Sequence, residues 1–265
     1  MHDYELITVL CRRFDYSGAH NVAIALGLHE TPLGSLLRLC MSSVNFDFTA
    51  AREQLPPIRE LFEKQQRRML ESNLEDLIQG KPDAMFSEHI WSMRFQLEQE
   101  EFLDFLGRLY RFNEAFLKYL FVLKHVGKKS LFDDIYKEGR ILRILRNKYD
   151  IKNRNIIFAI QSFLQQLDPP MPGARAVLDF FTGKEMKALV ELRNDSIVGH
   201  GYCGVSRELI TEQFAPPDVL LDHLVLMMEK NDLSIDTEKY YMINDTIVQT
   251  LKRGIDDACS IRIEK

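Results

Sequence analysis

Residues 96–124 read QLEQEEFLDFLGRLYRFNEAFLKYLFVLK, and the spacing of their apolar side chains decides the fold. Phe102, Leu103, Phe105, Leu106, Leu109, Phe112, Phe116, Leu117 and Leu120 line a broad apolar stripe at helical spacing. Such a stripe marks an α-helix packed on a core. The same period continues outward along the chain. Asp15 caps a helix from Tyr16 to Leu26, with Gly27 as its stop, and Thr31–Pro32 starts another with proline at the first helical position. Pro56–Pro57 opens a long charged helix through RELFEKQQRRMLESNLEDLI, which Gly80 and Pro82 end. Further helices are predicted over 135–148, 154–167, 183–198, 216–230 and 243–257, with DPPMPG (168–173) as the clearest breaker loop. Only LSID…KYYMI (233–243) has strand character, and it predicts one short β-hairpin. The expected fold class is all-α, a helical bundle with that hairpin as its one exception. GKPDAM (80–85) interrupts the helices and marks a boundary at 80–86. It either separates an N-terminal helical layer, 1–85, from a helical region, 86–265, or is a loop within one continuous domain.

A chain of 265 residues has room for one large domain or two small ones with a real core. With 46% hydrophobic and 28% charged residues, the composition is that of an ordinary globular protein. A net charge of −5 argues against non-specific coating of nucleic acid and leaves room for a local basic face. Cys11, Cys40, Cys203 and Cys259 form no CxxC pair, so neither a zinc site nor a disulfide framework is expected; reduced thiols fit a cytoplasmic location. No apolar run reaches the roughly 18 residues of a transmembrane helix, so no membrane is expected among the partners. MHDYELITVLCRRF lacks the basic start and cleavage site of a signal peptide. GxxxxGK[ST], GxGxxG and GxSxG are absent, and no cofactor is expected.

The chemistry concentrates in ELRNDSIVGHGY (191–202). On a helix over 184–198, Met186, Leu189, Val190, Leu192, Ile197 and Val198 would face inward. Arg193 and His200 are two turns apart, so a continuous helix would separate them by roughly 10 Å. Either the helix breaks at Gly199, which glycine permits, or two copies of the segment come together. Histidine moves protons near neutral pH, and arginine holds a phosphate through a bidentate fork. Asparagine can orient a phosphate or a ribose hydroxyl. Together Arg193, Asn194 and His200 suit metal-independent cleavage of RNA by its own 2′-hydroxyl, which leaves a 2′,3′-cyclic phosphate. A second reading stays open: Arg and His near a helix C-terminus meet the helix dipole favourably, and glycine is the commonest stop.

RNDSIVGHG (193–201) resembles the Arg-Asn…His-Gly signature of HEPN ribonucleases, in particular the HEPN half of the accessory ribonucleases of type III CRISPR systems. FDYSGA (14–19), RLYRFNEAFLKYL (108–120) and YYMINDTIVQTL (240–251) are similar to further segments of that family, in the same order. The resemblance implies a HEPN-like helical bundle that forms a homodimer. Two copies of the motif would then face each other in one composite site that cleaves single-stranded RNA in antiviral defence. Arg193, Asn194 and His200 would be catalytic, with Arg193 and His200 acting on the 2′-hydroxyl, the scissile phosphate and the leaving oxygen. No metal is implied. Family members usually carry an N-terminal CARF domain that senses cyclic oligoadenylate, and its pattern is missing here. The chain is then either a fragment of a longer protein or a stand-alone, toxin-type HEPN ribonuclease. A non-catalytic dimerisation or binding module is the competing expectation.

KEGRILRILRNKYDIKNR (137–154) places Arg140, Arg143 and Arg146 on one side of a helix, where they could guide an RNA backbone or form a solvated basic face. Arg146–Asn147 has no histidine after it and predicts no second site. Glu191, Asp195 and Glu208 flank the motif as surface carboxylates that could tune His200. Ser196 could bond to His200 on a continuous helix. Tyr202 either stacks on a base or packs under the loop. His20, His29, His89, His125 and His223 lack a second ligand at helical spacing and read as core-edge or surface residues, and Trp91 as core.

Overall fold

In the computed structural model, which describes residues 3–171 and 173–263 and the side chains of 4–171 and 173–253, the stripe of 96–124 belongs to a helix that starts at Phe102. The fold is all-α: the described residues form fifteen α-helices, two short 3₁₀ turns and no strand. The chain divides into two compact units, Met1–Ile78 with Asp236–Lys265, and Gln79–Ile235. The first crossing lies close to the sequence boundary at 80–86. The return at Asp236 has no counterpart in the division 1–85 and 86–265.

The first unit contains α1 (Asp3–Arg12), α2 (Tyr16–Ala25), α3 (Pro32–Val44), α4 (Phe48–Glu53), α5 (Leu55–Ile58) and α6 (Lys64–Ile78), joined by the last helix of the chain, α15 (Lys239–Ile263). Its helix starts follow their capping residues. Asp15 accepts from the Gly18 N–H at 2.7 Å, and Thr31 accepts from the Gly34 N–H. The long helix expected after Pro56–Pro57 is interrupted, because Phe62 is extended and buries its ring. The hairpin expected over 233–243 is not formed. Asp236 Oδ1 accepts from the N–H groups of Glu238 and Lys239, which starts α15 there. From that point Tyr240, Ile243, Ile247 and Leu251 recur at helical spacing and are buried, and this period overrides the short alternation before it. Cys11 and Cys40 are buried and in no disulfide among the described residues; the side chain of Cys259 lies outside them.

The second unit is built around α8 (Phe102–Val126). It packs against α7 (Pro82–Glu98), α10 (Ile156–Gln165) and α12 (Lys184–Asp195). Phe105, Phe112, Phe116, Tyr119 and Phe121 are fully buried along it, so the helix is enclosed on more than the one side that the stripe predicts. Glu100, with φ of 64°, turns the chain between α7 and α8 without glycine or proline. The remaining helices are α9 (Glu138–Tyr149), α11 (Ala174–Thr182), α13 (Arg207–Gln213) and α14 (Pro217–Glu229). Among the described residues, no helix is long and apolar enough to cross a membrane.

Candidate functional site

α12 buries Met186 and Leu189 beside α8 and ends at Asp195, three residues before the expected end. Ser196 leaves the helix in an extended conformation, and its buried Oγ donates to the Arg193 carbonyl at 2.6 Å. The chain then doubles back on the last turn. The His200 N–H donates to the Asn194 carbonyl at 2.8 Å, the Gly199 and Gly201 N–H groups to the Ser196 carbonyl, and the Cys203 N–H to the Asp195 carbonyl at 2.9 Å. The carbonyls that a helix C-terminus leaves unpaired are thus satisfied by the returning loop.

This reversal explains both glycines. A Cβ at position 199 would stand 2.3 Å from the Asn194 carbonyl oxygen, and one at 201 would stand 2.0 Å from that of Asp195. Neither contact is possible for a larger residue while the loop keeps this path. The helix therefore breaks at Ser196 rather than Gly199, and the loop returns the His200 backbone to Asn194. The roughly 10 Å separation of a continuous helix does not arise, and with it goes the geometric argument for a second copy. Two further expectations change for the same reason. Ile197 is exposed instead of facing inward, and the Ser196 hydroxyl is committed to Arg193 rather than to His200.

Arg193 is half-buried. Its guanidinium lies over the ring of Tyr110 on α8, 4.9 Å from the ring centre, and its Nη1 donates to Asn194 Oδ1 at 2.9 Å. Its Nε is buried without an acceptor among the described residues. Stacking and hydrogen bonding hold the arginine in one place, with one donor unspent. Asn194 and His200 are exposed. Tyr202 is 92% exposed, so it does not pack under the loop. Glu191, Asp195 and Glu208 are exposed; hydrogen bonds from its own N–H and from Ser206 hold the Glu208 carboxyl below its usual range.

Beside this turn lies a groove of about 410 Å³ between α8, α10, α11 and α12. Asn194 lines it, as do Tyr110, Asn113, Phe158 and Gln161. The last four were not singled out by the sequence reading. Asn113 had a signal: it stands at helical spacing from Leu109, Phe116 and Leu117, a polar residue on the buried face of α8. Phe158, Gln161 and Tyr110 had none, because the groove forms only when four helices meet.

Arg140, Arg143 and Arg146 are exposed on α9, which packs on α10 through the buried Ile141 and Leu145. Among the described contacts, no ion pair or hydrogen bond engages their side chains or joins them to residues 193–200. Of the other histidines, His89 is half-buried, its Nε2 3.2 Å from the Arg108 carbonyl, and desolvation pushes its pKa down to about 4. Among the described residues, no group of three or more His, Cys, Asp or Glu is placed to hold a metal ion. No family model, curated protein or solved structure matches the chain.

Proposed function

We propose that the protein is a HEPN-type endoribonuclease. It cleaves single-stranded RNA in the cytoplasm without a metal, at a composite site formed by two copies, as part of type III CRISPR antiviral defence. The observation that carries this reading is the turn after α12. Its backbone returns His200 to Asn194, which pairs with Arg193 and lines a groove, and leaves the imidazole exposed. In the reaction, the ribose 2′-oxygen attacks the adjacent phosphorus and the P–O5′ bond breaks. The 2′-hydroxyl proton is removed and the leaving 5′-oxygen receives one, so the products are a 2′,3′-cyclic phosphate and a 5′-hydroxyl. His200 and Arg193 share the proton transfers and the stabilisation of the crowded phosphate charge, and Asn194 supports Arg193. Arg140, Arg143 and Arg146 offer an exposed cationic row for the RNA backbone. Cyclic oligoadenylate, if it activates the enzyme, acts through a CARF domain outside these residues.

The test is cleavage of a quenched fluorescent single-stranded RNA in excess EDTA. His200→Ala is expected to abolish the signal while melting like the parent, and the parent products are expected to end in a cyclic phosphate. Equal signals from parent and His200→Ala sink the assignment. One observation favours a second reading, a non-catalytic binding module: Arg193 is engaged inward with Tyr110 and Asn194, as a structural arginine would be. That reading expects no difference between the parent and the Arg193→Ala/His200→Ala double variant.

A further inference from the structure

We infer that the groove between α8, α10 and α12 receives a single unstacked nucleobase. This deepens the nuclease reading, on which it rests, by naming the part of the RNA that the protein reads. The groove, at about 410 Å³, falls within the size range of small-ligand sites. Two buried amides line it. Asn113 is only 5% exposed, and its Oδ1 is buried with no hydrogen-bond partner among the described residues. A buried acceptor left unpaired is costly and rare, and the residue that carries this one lines the groove. Gln161, 8% exposed, lines the same groove and makes no hydrogen bond among those described. A carboxamide presents a donor beside an acceptor, the pattern that a base edge also carries, and pairs with bases in two-bond fashion.

The walls suit a flat aromatic ligand. Phe158 on α10 is 57% exposed, a large apolar ring left in solvent at the groove, and bases of every kind stack on such rings. Tyr110 forms another wall and already carries the Arg193 guanidinium on its ring. Asn194 belongs to both the groove and the Arg193 pair, so a base seated here would have its backbone beside the turn that bears His200. Lys187 and Glu191, both exposed, stand at the same groove.

The probe is a set of short labelled 2′-deoxy oligonucleotides, homopolymers of each base and an abasic strand of equal length. They lack the attacking hydroxyl, so binding is read without cleavage. The full chain is expected to bind at least one homopolymer roughly tenfold more tightly than the abasic strand, and the homopolymer preferred identifies the base. Gln161→Ala and Asn113→Ala are each expected to lose roughly fivefold or more of that binding, the yield of a two-bond base contact. Gln161→Ala carries the test alone if Asn113→Ala melts lower than the parent. Equal binding of base-bearing and abasic strands, or parent-like binding by a Gln161→Ala chain that melts normally, overturns the inference. A chain that prefers a base yet leaves RNA uncut keeps the pocket and loses the nuclease; one that cuts RNA but binds the abasic strand equally does the reverse.

Discussion

Tyr16 donates a hydrogen bond to Asn244 Oδ1 at 2.9 Å across 228 positions of sequence, and Asn244 Nδ2 donates in turn to the Cys11 carbonyl at 2.8 Å. All three groups are buried. The contact joins FDYSGA to YYMINDTIVQTL, two of the segments that carry the family resemblance. The rings add to it: Tyr16 lies 6.0 Å from Tyr240, and Phe14 lies 5.9 Å from Tyr241.

Asn244→Ala removes the acceptor of the Tyr16 hydroxyl and one of the two donors to the Cys11 carbonyl, which keeps the Phe14 N–H, in the core of the first unit. A loss of about 2–3 kcal/mol is expected, against about 1 kcal/mol for Tyr16→Phe, which removes one group of a single bond. Urea denaturation of the two variants checks the order; a larger loss in Tyr16→Phe would place the stabilisation elsewhere.

Gly201→Ala pushes a methyl group into the Asp195 carbonyl and cannot keep the reversal after α12. We expect a loss of about 2–4 kcal/mol, together with loss of any RNA cleavage. Gly204 is the control, since a Cβ there meets nothing within 4 Å. Gly204→Ala is expected to stay within about 0.5 kcal/mol of the parent. Similar melting of the two variants would show that the loop takes another path in solution.

The stacking of Arg193 on Tyr110 is measurable by a double-mutant cycle. Tyr110→Leu and Arg193→Met, separately and together, are expected to show a coupling of about 0.5–1 kcal/mol in stability. On the nuclease reading, Tyr110→Leu also slows cleavage, because it frees a guanidinium that the ring holds in place. Additive stability effects would argue that the two side chains do not touch.

His89 sets a pH dependence whose sign follows from its burial. Its pKa falls from 6.5 to about 4 in the folded chain, so the unfolded chain takes up the proton first as pH drops. The stability is fully present above pH 6.5 and drains away as pH falls through the window down to about 4. The whole window is worth about 3 kcal/mol. Comparing the parent with His89→Gln by urea denaturation at several pH values within it isolates this residue. The variant's loss is expected to be smaller by that amount, and identical slopes would remove His89 as the cause.

Helices whose signal is local were readable in the sequence. α8 announces itself through a repeated apolar interval, and α2 and α3 through Asp15 and Thr31, whose side chains do cap them. Breaks without glycine or proline were not readable. Glu100 turns the chain at positive φ, and Ser196 ends α12 because the loop beyond it supplies better partners for the Asn194 and Asp195 carbonyls than another helical turn would. The hairpin was misread because a short alternation precedes a longer helical period. At the candidate site, Arg193, Asn194 and His200 stood out through residue type, whereas the groove did not. Its chemistry is divided among α8, α10 and α12, and only Asn113 betrayed it, as an amide on an apolar face.

The turn after α12 separates two demands that the sequence writes side by side. Positions 199 and 201 are dictated by the clearance between two strands of main chain, and would be dictated in an inert homologue as firmly as in a working one. Position 200 contributes only its amide to the architecture, which nearly any amino acid supplies. An imidazole at that point is a free choice as far as folding is concerned, so it is the middle letter of the triplet that speaks for chemistry.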